Sequence, residues 1–304
     1  MLTSRMSIPQ HAAQAFHSAF SGIGTREKAV ILCVKGATNE QLQDMQLAYN
    51  QMFNKSLAQT VRFETSFNFE KLVLSTLQPR YQLWAECIHH AVAGLGTDEK
   101  RLIYYVFMMD DYDKQQVRLA YQQKYRKTLD HAIEFDVPPF WTFGRLMKHW
   151  LKNDKLQHGD VQDLVAQLHK AEVGPGTREN VFIDVFTTTS HDSFNAIVAE
   201  YNRQYLINLR HVVKKEFSGH TEAAMLAAYD FNVHPANLCA QLVSHAVKGM
   251  GTDDTLLINV TALFRDRYYD WICQAYPGNI IRAIKRDTSG WYETGILELW
   301  NLKS

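Results

Sequence analysis

The sequence predicts an all-α protein made of four tandem five-helix repeats, and three observations support this fold class. A Gly-x-Gly-Thr loop occurs at 22–25, 94–97, 174–177 and 249–252, with its threonines 72, 80 and 75 residues apart. Apolar residues around each loop recur with helical period, and no stretch shows the alternation of a β-strand. Such helical units bury their apolar faces by packing on one another. We place the repeats at 10–78, 79–152, 153–231 and 232–302.

Each repeat is predicted to contain the same elements in the same order. An amphipathic helix precedes the loop, and a second helix follows it, with the loop threonine as N-cap and acidic residues in its first turn. A tyrosine-bearing helix and a short helix come next. An apolar helix closes the repeat, at 69–77, 140–151, 222–229 and 292–300. The longer spacing around 153–159 predicts a linker that joins two pairs of repeats.

Composition limits the function classes. Hydrophobic residues make up 46% of the 304 residues, and 32 basic residues balance 32 acidic ones. A net charge of zero gives no bulk attraction to nucleic acid or to an anionic membrane, so such attraction would need a local patch or a bound cation. Four cysteines without paired spacing predict reduced, buried side chains in a cytoplasmic protein. No secretory signal or membrane-spanning run is predicted.

The loops can serve either as simple helix connectors or as cation sites. A Gly-x-Gly turn can bring successive carbonyl oxygens together, and calcium prefers six to eight such hard oxygens. A carboxylate follows the second loop glycine by 40 residues in three repeats and by 36 in the fourth; these acids are Glu64, Asp136, Glu216 and Asp287. The repetition of loop and acid favours calcium over the connector.

On these motifs the chain resembles the annexin family. The segment 248–254, Lys-Gly-Met-Gly-Thr-Asp-Asp, with Asp-Thr-Ser-Gly at 287–290, is close to the annexin signature, and the short amino terminus and eroded motifs look most like the alpha-giardins. The resemblance implies a slightly curved disc with its loops on one convex face, where calcium bridges the protein to acidic phospholipid. It implies these ligand sets: carbonyls of Phe20, Gly22 and Gly24 with Glu64; Val92, Gly94 and Gly96 with Asp136; Glu172, Gly174 and Gly176 with Glu216; Val247, Gly249 and Gly251 with Asp287.

Departures from the family pattern rank the four sites. Phe67 stands where repeat I should have a turn glycine, Pro138 and Pro139 follow Asp136 in repeat II, Pro175 occupies the loop apex in repeat III, and repeat IV is four residues shorter between loop and acid. We therefore rank repeat I first, then IV, III and II. With one carboxylate per ion, affinities of roughly 0.1–1 mM are expected.

The basic residue that annexins commonly carry before the first loop glycine is mostly missing. These positions hold Ser21, Ala93, Val173 and Lys248. The loss of three cations removes about 3 kcal/mol of attraction to an anionic surface. Calcium-dependent lipid binding is therefore expected to be weakened.

Other signals carry less weight. No nucleophile, nucleotide-binding or zinc-binding signature is present, so we predict a protein that is not an enzyme and whose 13 histidines are ordinary. The basic clusters at 214–215 and 282–286 are interpreted as solvated helix faces, and the six tryptophans as core residues. Two functions stay open: calcium-dependent docking on acidic membranes, or a scaffold that binds cytoskeletal filaments with vestigial calcium sites. Either predicts a cytoplasmic protein at the membrane periphery or the cytoskeleton.

Overall fold

The computed structural model describes residues 6–21, 26–94, 96–152, 154–155, 159–173, 176–248 and 251–302. These residues form twenty helices and confirm the all-α class with five helices in each repeat. In repeats I and II the helices are α1 Ile8–Ala19, α2 Glu27–Val34, α3 Asn39–Phe53, α4 Leu57–Glu64, α5 Phe67–Leu77, α6 Arg80–Val92, α7 Glu99–Phe107, α8 Asp111–Tyr125, α9 Leu129–Asp136 and α10 Thr142–Lys152. In repeats III and IV they are α11 Val161–Glu172, α12 Glu179–Thr188, α13 His191–Tyr205, α14 Leu209–Glu216, α15 Gly219–Val233, α16 Pro235–Ala246, α17 Asp254–Tyr268, α18 Ile272–Ala275, α19 Ile280–Asp287 and α20 Gly290–Leu299.

The chain forms two compact units. Residues 1–83 and 239–304 make up the first, which combines repeats I and IV, and residues 84–238 make up the second, which combines repeats II and III. The segment around 153–159 therefore lies inside the second unit and does not join two pairs of repeats, as the spacing had suggested. Within the part of the chain that the structure describes, no helix is both long and apolar enough to cross a bilayer.

Large aromatic side chains fill the core of each unit. Trp84 and Trp150 are fully buried in the second unit and Trp300 in the first. The indole nitrogens of Trp84 and Trp300 each donate a hydrogen bond at 2.9 Å, to the Tyr105 carbonyl oxygen and the Thr261 hydroxyl. The prediction that all six tryptophans and all four cysteines are buried is wrong for part of this set. Trp141, Trp271, Trp291 and Cys273 are exposed, and Cys33 is half-buried.

The residue after each loop threonine, rather than the threonine itself, is the N-cap of the second helix. The carboxylates of Asp98 and Asp253 accept hydrogen bonds at 3.0 Å from the amides of Arg101 and Leu256. An aspartate at the N-cap satisfies an amide that the helix leaves unpaired and adds a favourable charge at that end. The threonine hydroxyl is therefore available for another role, described below.

Phe67 adopts a left-handed backbone conformation at the start of α5. Its φ of 56° matches the φ of 59° and 63° at Gly219 and Gly290, the first residues of α15 and α20. A left-handed conformation costs a non-glycine residue about 1–2 kcal/mol. The phenyl ring is 87% exposed, so little apolar burial offsets that cost.

We expect Phe67→Gly to raise the free energy of unfolding by about 0.5–1 kcal/mol, since the relief of strain exceeds the extra chain entropy of glycine. Urea titration of the purified variant measures this change. Phe67→Ala is the matched control, because alanine removes the ring but keeps the strained conformation. Equal stability of the glycine and alanine variants would contradict the strain argument.

Candidate metal-binding loops

All four loops close on the same backbone hydrogen bond. The amide of the residue after the loop threonine donates to the carbonyl of an alanine seven residues earlier, at 2.8–3.1 Å: Arg26 to Ala19, Asp98 to Ala91, Arg178 to Ala171 and Asp253 to Ala246. These alanines are buried. The next residue in each repeat supplies the first carbonyl of the predicted ligand set. The loop base is therefore the same in repeats that differ at the loop apex.

The second loop glycine needs its conformational freedom in the three repeats where it is described. Gly96, Gly176 and Gly251 have φ of 97°, 83° and 94°, a region that side chains disfavour. Gly22, Gly24, Gly174, Pro175 and Gly249 lie outside the described residues. The predicted carbonyl contributions of these glycines, and the effect of Pro175, therefore stay predictions.

In repeat II the predicted acid and two predicted carbonyl residues line one cavity. Asp136 faces it together with Val92 and Gly94, and the cavity has a volume of about 340 Å³. Among the described residues, no hydrogen bond or ion pair reaches the Asp136 carboxylate. Burial raises the pKa of this carboxyl group, because the charged form loses solvation. A bound cation would compensate for that loss.

A proline turn follows Asp136 and leads into α10. The Trp141 amide donates to the Pro138 carbonyl at 3.2 Å, and α10 begins directly afterwards. Gly144 makes this turn possible, because a Cβ at that position would lie 2.1 Å from the Pro138 oxygen. Asp136 lines the cavity that contains Val92 and Gly94, and it also lines a second cavity with Phe140 and Trp141. The order of the four sites therefore stays a prediction.

In repeat III the acid is held by side chains of the chain itself. The Thr177 hydroxyl donates to Glu216 Oε2 at 2.6 Å, and Lys215 Nζ lies 3.1 Å from Glu216 Oε1. The pKa of Glu216 is lowered, and the hydrogen bond from Thr177 is the largest cause. Partial burial opposes this shift, whereas Lys215 lowers the pKa further. The loop threonine thus ties the predicted ligand to the loop. Glu172, whose carbonyl belongs to the same predicted set, has its carboxylate bound by His169 and by the Tyr201 hydroxyl.

In repeat IV the acid also reaches its loop, despite the shorter spacing. The Thr252 hydroxyl donates to the Asp287 backbone carbonyl at 2.7 Å. The missing residues are absorbed by α18, which has only four residues. The neighbouring Arg286 binds the Asp287 carboxylate through Nε at 3.1 Å and Nη2 at 3.0 Å, and it also donates to the Val247 carbonyl at 2.9 Å. Hydrogen bonds from Arg286 lower the pKa of Asp287, and Asp287 raises the pKa of Arg286.

In repeat I the acid Glu64 lies at the end of α4. It lines a cavity of about 350 Å³ together with Glu27, Phe67 and Trp291, all in the first unit. Phe20, whose carbonyl the resemblance adds to this site, is the C-cap of α1. Two carbonyl residues of this predicted set, Gly22 and Gly24, are outside the described residues, so their contribution stays a prediction.

The residue before each acid divides the repeats into two classes. Repeats I and II have Phe63 and Phe135 there, which are 87% and 77% exposed. Repeats III and IV have Lys215 and Arg286, which pair with the acid. Both side chains are largely exposed, at 68% and 63%, in agreement with the interpretation of the basic clusters as solvated helix faces, and each also pairs with the acid that follows it. Their position directly before the acid was the signal in the sequence.

Histidines stack on aromatic rings in three repeats. His17 on Phe53, His89 on Tyr125 and His169 on Tyr205 have ring centroids 4.0, 3.7 and 3.7 Å apart. Each histidine precedes its loop threonine by eight residues. They join the first helix of the repeat to the third below the loop, a packing role that sequence analysis did not assign. No cluster of three or more His, Cys, Asp or Glu side chains suited to a metal occurs within the described ranges.

Five-helix units that repeat four times, each with a Gly-x-Gly-Thr loop and a carboxylate 36 or 40 residues after its second glycine, define a class of all-helical repeat protein. The annexin family model matches residues 10–76, 84–137 and 163–228, and the chain belongs to the annexin family. Members of this family are in general calcium-dependent phospholipid-binding proteins.

Individual annexins are similar over nearly the whole chain. Annexin A8 of Rattus norvegicus is 28% identical, with 96% of this chain and 92% of that protein covered. Annexin A7 of Homo sapiens is 26% identical, with 94% and 60% covered. The fold matches calcium-bound alpha-14 giardin with a TM-score of 0.86 at 24% identity over 96% of this chain and 99% of that one. Calcium-bound alpha-1 giardin gives a TM-score of 0.88 at 18% identity, with 98% and 100% covered. At the level of fold, this agrees with the alpha-giardin resemblance.

Proposed function

We propose that this protein binds calcium at the loops of repeats I and II and thereby docks on acidic phospholipid membranes. The observation that carries the proposal is the cavity that Asp136 lines together with Val92 and Gly94. This donor set fits calcium, because it combines hard carbonyl and carboxylate oxygens and because the carboxylate has no cation partner among the described residues. Calcium bound there would offer its remaining coordination positions to a lipid phosphate.

Exposed aromatic side chains beside the acids support a membrane surface as the partner. Phe135 precedes Asp136, and Phe140 and Trp141 follow it, packed edge to face at 5.5 Å. All three rings are more than half exposed, and Phe63 and Phe67 flank Glu64 in the same way. Aromatic residues suit the boundary between lipid headgroups and acyl chains. This apolar contribution would partly offset the missing basic residues before the loops.

Vesicle sedimentation tests the proposal. We expect the protein to sediment with phosphatidylserine vesicles in about 1 mM calcium and to be released by chelator. Phosphatidylcholine vesicles are the control, because they lack the net negative charge that calcium would bridge. Failure to sediment with phosphatidylserine in calcium, or equal sedimentation in chelator, would contradict the proposal.

A scaffold that binds cytoskeletal filaments is the second candidate, and the closed acids of repeats III and IV favour it. Glu216 and Asp287 are already bound by a lysine and an arginine of the chain, as expected where calcium sites have become vestigial. Co-sedimentation with microtubules and with actin filaments, in calcium and in chelator, separates the two candidates. Filament binding that is insensitive to chelator, without vesicle binding, would favour the scaffold.

A further inference from the structure

Arg286 lies between two oxygen donors that the annexin resemblance assigns to calcium in repeat IV. Its guanidinium donates to the Val247 carbonyl and makes two hydrogen bonds to the Asp287 carboxylate, all at 2.9–3.1 Å. A guanidinium is permanently charged, and its planar donors match a carboxylate. The Val247 carbonyl and the Asp287 carboxylate therefore already bind an internal cation, and in this arrangement they do not fit calcium.

We propose that Arg286 closes repeat IV as a tethered cation, so that a metal ion can bind there only after the guanidinium has been displaced. A competing divalent ion must overcome charge repulsion as well as the lost hydrogen bonds. Asp287 itself does not depend on Arg286 for its place, because Thr252 holds its backbone carbonyl at 2.7 Å. Removal of the guanidinium should therefore leave the carboxylate beside the loop. The inference rests on the proposed function only for the identity of the ion.

Lys215 supports the same interpretation in repeat III. It occupies the same position before the acid and lies 3.1 Å from Glu216. An ammonium is a single point charge without the fork of a guanidinium, so it closes the site less completely. The same position holds Phe63 and Phe135 in repeats I and II, where no basic side chain precedes the acid.

Arg286→Gln tests the proposal, with Lys285→Gln as its matched control. Lys285 is adjacent, exposed and of the same charge, and among the described residues it has no contact with Asp287. Isothermal titration with calcium should show one additional site in Arg286→Gln, or about a tenfold higher affinity at one site. Lys285→Gln should behave like the wild type. The double variant Arg286→Gln/Asp287→Asn should lose the gain.

Two results would overturn the inference: equal calcium binding by Arg286→Gln, Lys285→Gln and the wild type, or a gain that survives in the double variant. These outcomes are independent of the proposed function. A wild type that binds no calcium, beside an Arg286→Gln variant that binds one ion, would support the arginine closure and contradict calcium binding at repeats I and II. A wild type that binds calcium, beside an Arg286→Gln variant that binds it equally, would support calcium binding by the protein and contradict the arginine closure. Thermal melting of each variant without calcium verifies that all are folded.

Discussion

Asp136→Asn is expected to reduce calcium affinity at repeat II by at least about tenfold, equivalent to about 1.4 kcal/mol. Asparagine keeps one oxygen at the cavity shared with Val92 and Gly94 but loses the negative charge and the second carboxylate oxygen. A loop of neutral carbonyls holds a dication poorly without a carboxylate. Calorimetric titration measures the affinity, and sedimentation with phosphatidylserine vesicles measures its consequence.

Glu134→Gln is the matched control for this variant. Glu134 lies two residues earlier on α9, and its carboxylate pairs with Lys148 at 3.0 Å. Its removal changes the net charge by the same amount without changing the cavity. The apo stability of Asp136→Asn should not fall, because burial already disfavours the ionised carboxylate and raises its pKa. An Asp136→Asn variant that binds calcium as Glu134→Gln does would exclude repeat II as a site.

The fold could be predicted from the sequence because its signals repeat. Four loops with helical periodicity around them determine both the helix type and the number of units. The pairing of repeats was not predictable, since it depends on contacts between residues far apart in the chain, such as the hydrogen bond between Asn68 and Asp254. The N-cap was misplaced because threonine and aspartate both suit that position. The structure assigns the cap to the residue after the threonine, which is an aspartate in repeats II and IV and an arginine in repeats I and III. In repeats III and IV the threonine hydroxyl donates to the acid residue instead.

The sequence could suggest which residues belong to each candidate site. It could not show which acids are already paired with a basic side chain of the chain itself. The Asp-Thr-Ser-Gly motif at 287–290 could indicate that Asp287 belongs to the loop of repeat IV, although its offset is 36 residues and not 40. It could not indicate that Arg286 would bend back onto Val247, because that contact depends on side-chain direction at the end of α19. The buried alanines at the loop bases could have been identified from the sequence, since each precedes its loop threonine by six residues.

The segment predicted as a linker carries a half-buried anchor, Lys155. Its ammonium donates to the Phe186 carbonyl at 3.0 Å and to Asn232 Oδ1 at 2.6 Å, and it lies 3.8 Å from the centroid of the Trp150 ring. The Lys155 amide donates to Asp111 at 3.0 Å. All of these residues belong to the second unit, so the anchor joins this segment to repeats II and III.

Lys155→Ala is expected to lower the free energy of unfolding by about 2–4 kcal/mol. Truncation leaves a cavity against Trp150 and removes the ammonium donor from Phe186 and Asn232, and both effects are costly at this half-buried position. Urea titration measures the change. Lys152→Ala is the control, because Lys152 is exposed at the end of α10 and its loss should change stability by less than about 0.5 kcal/mol. If the two substitutions changed the free energy of unfolding equally, the contacts of Lys155 would not stabilise the fold as proposed.

The stability that Lys155 contributes should also depend on pH. Burial is the main cause that lowers the pKa of Lys155 well below its ordinary 10.5; Lys114 lowers it further, and Asp111 opposes the shift. The unfolded chain therefore binds a proton more readily than the folded one, so stability rises with pH between the folded-state pKa and 10.5. Lys155→Met keeps most of the volume and removes this titration, while the tyrosines titrate alike in both proteins. The wild type should accordingly gain stability relative to Lys155→Met as the pH rises toward that limit, and a difference that stays constant would mean that the ammonium is solvated in the folded state.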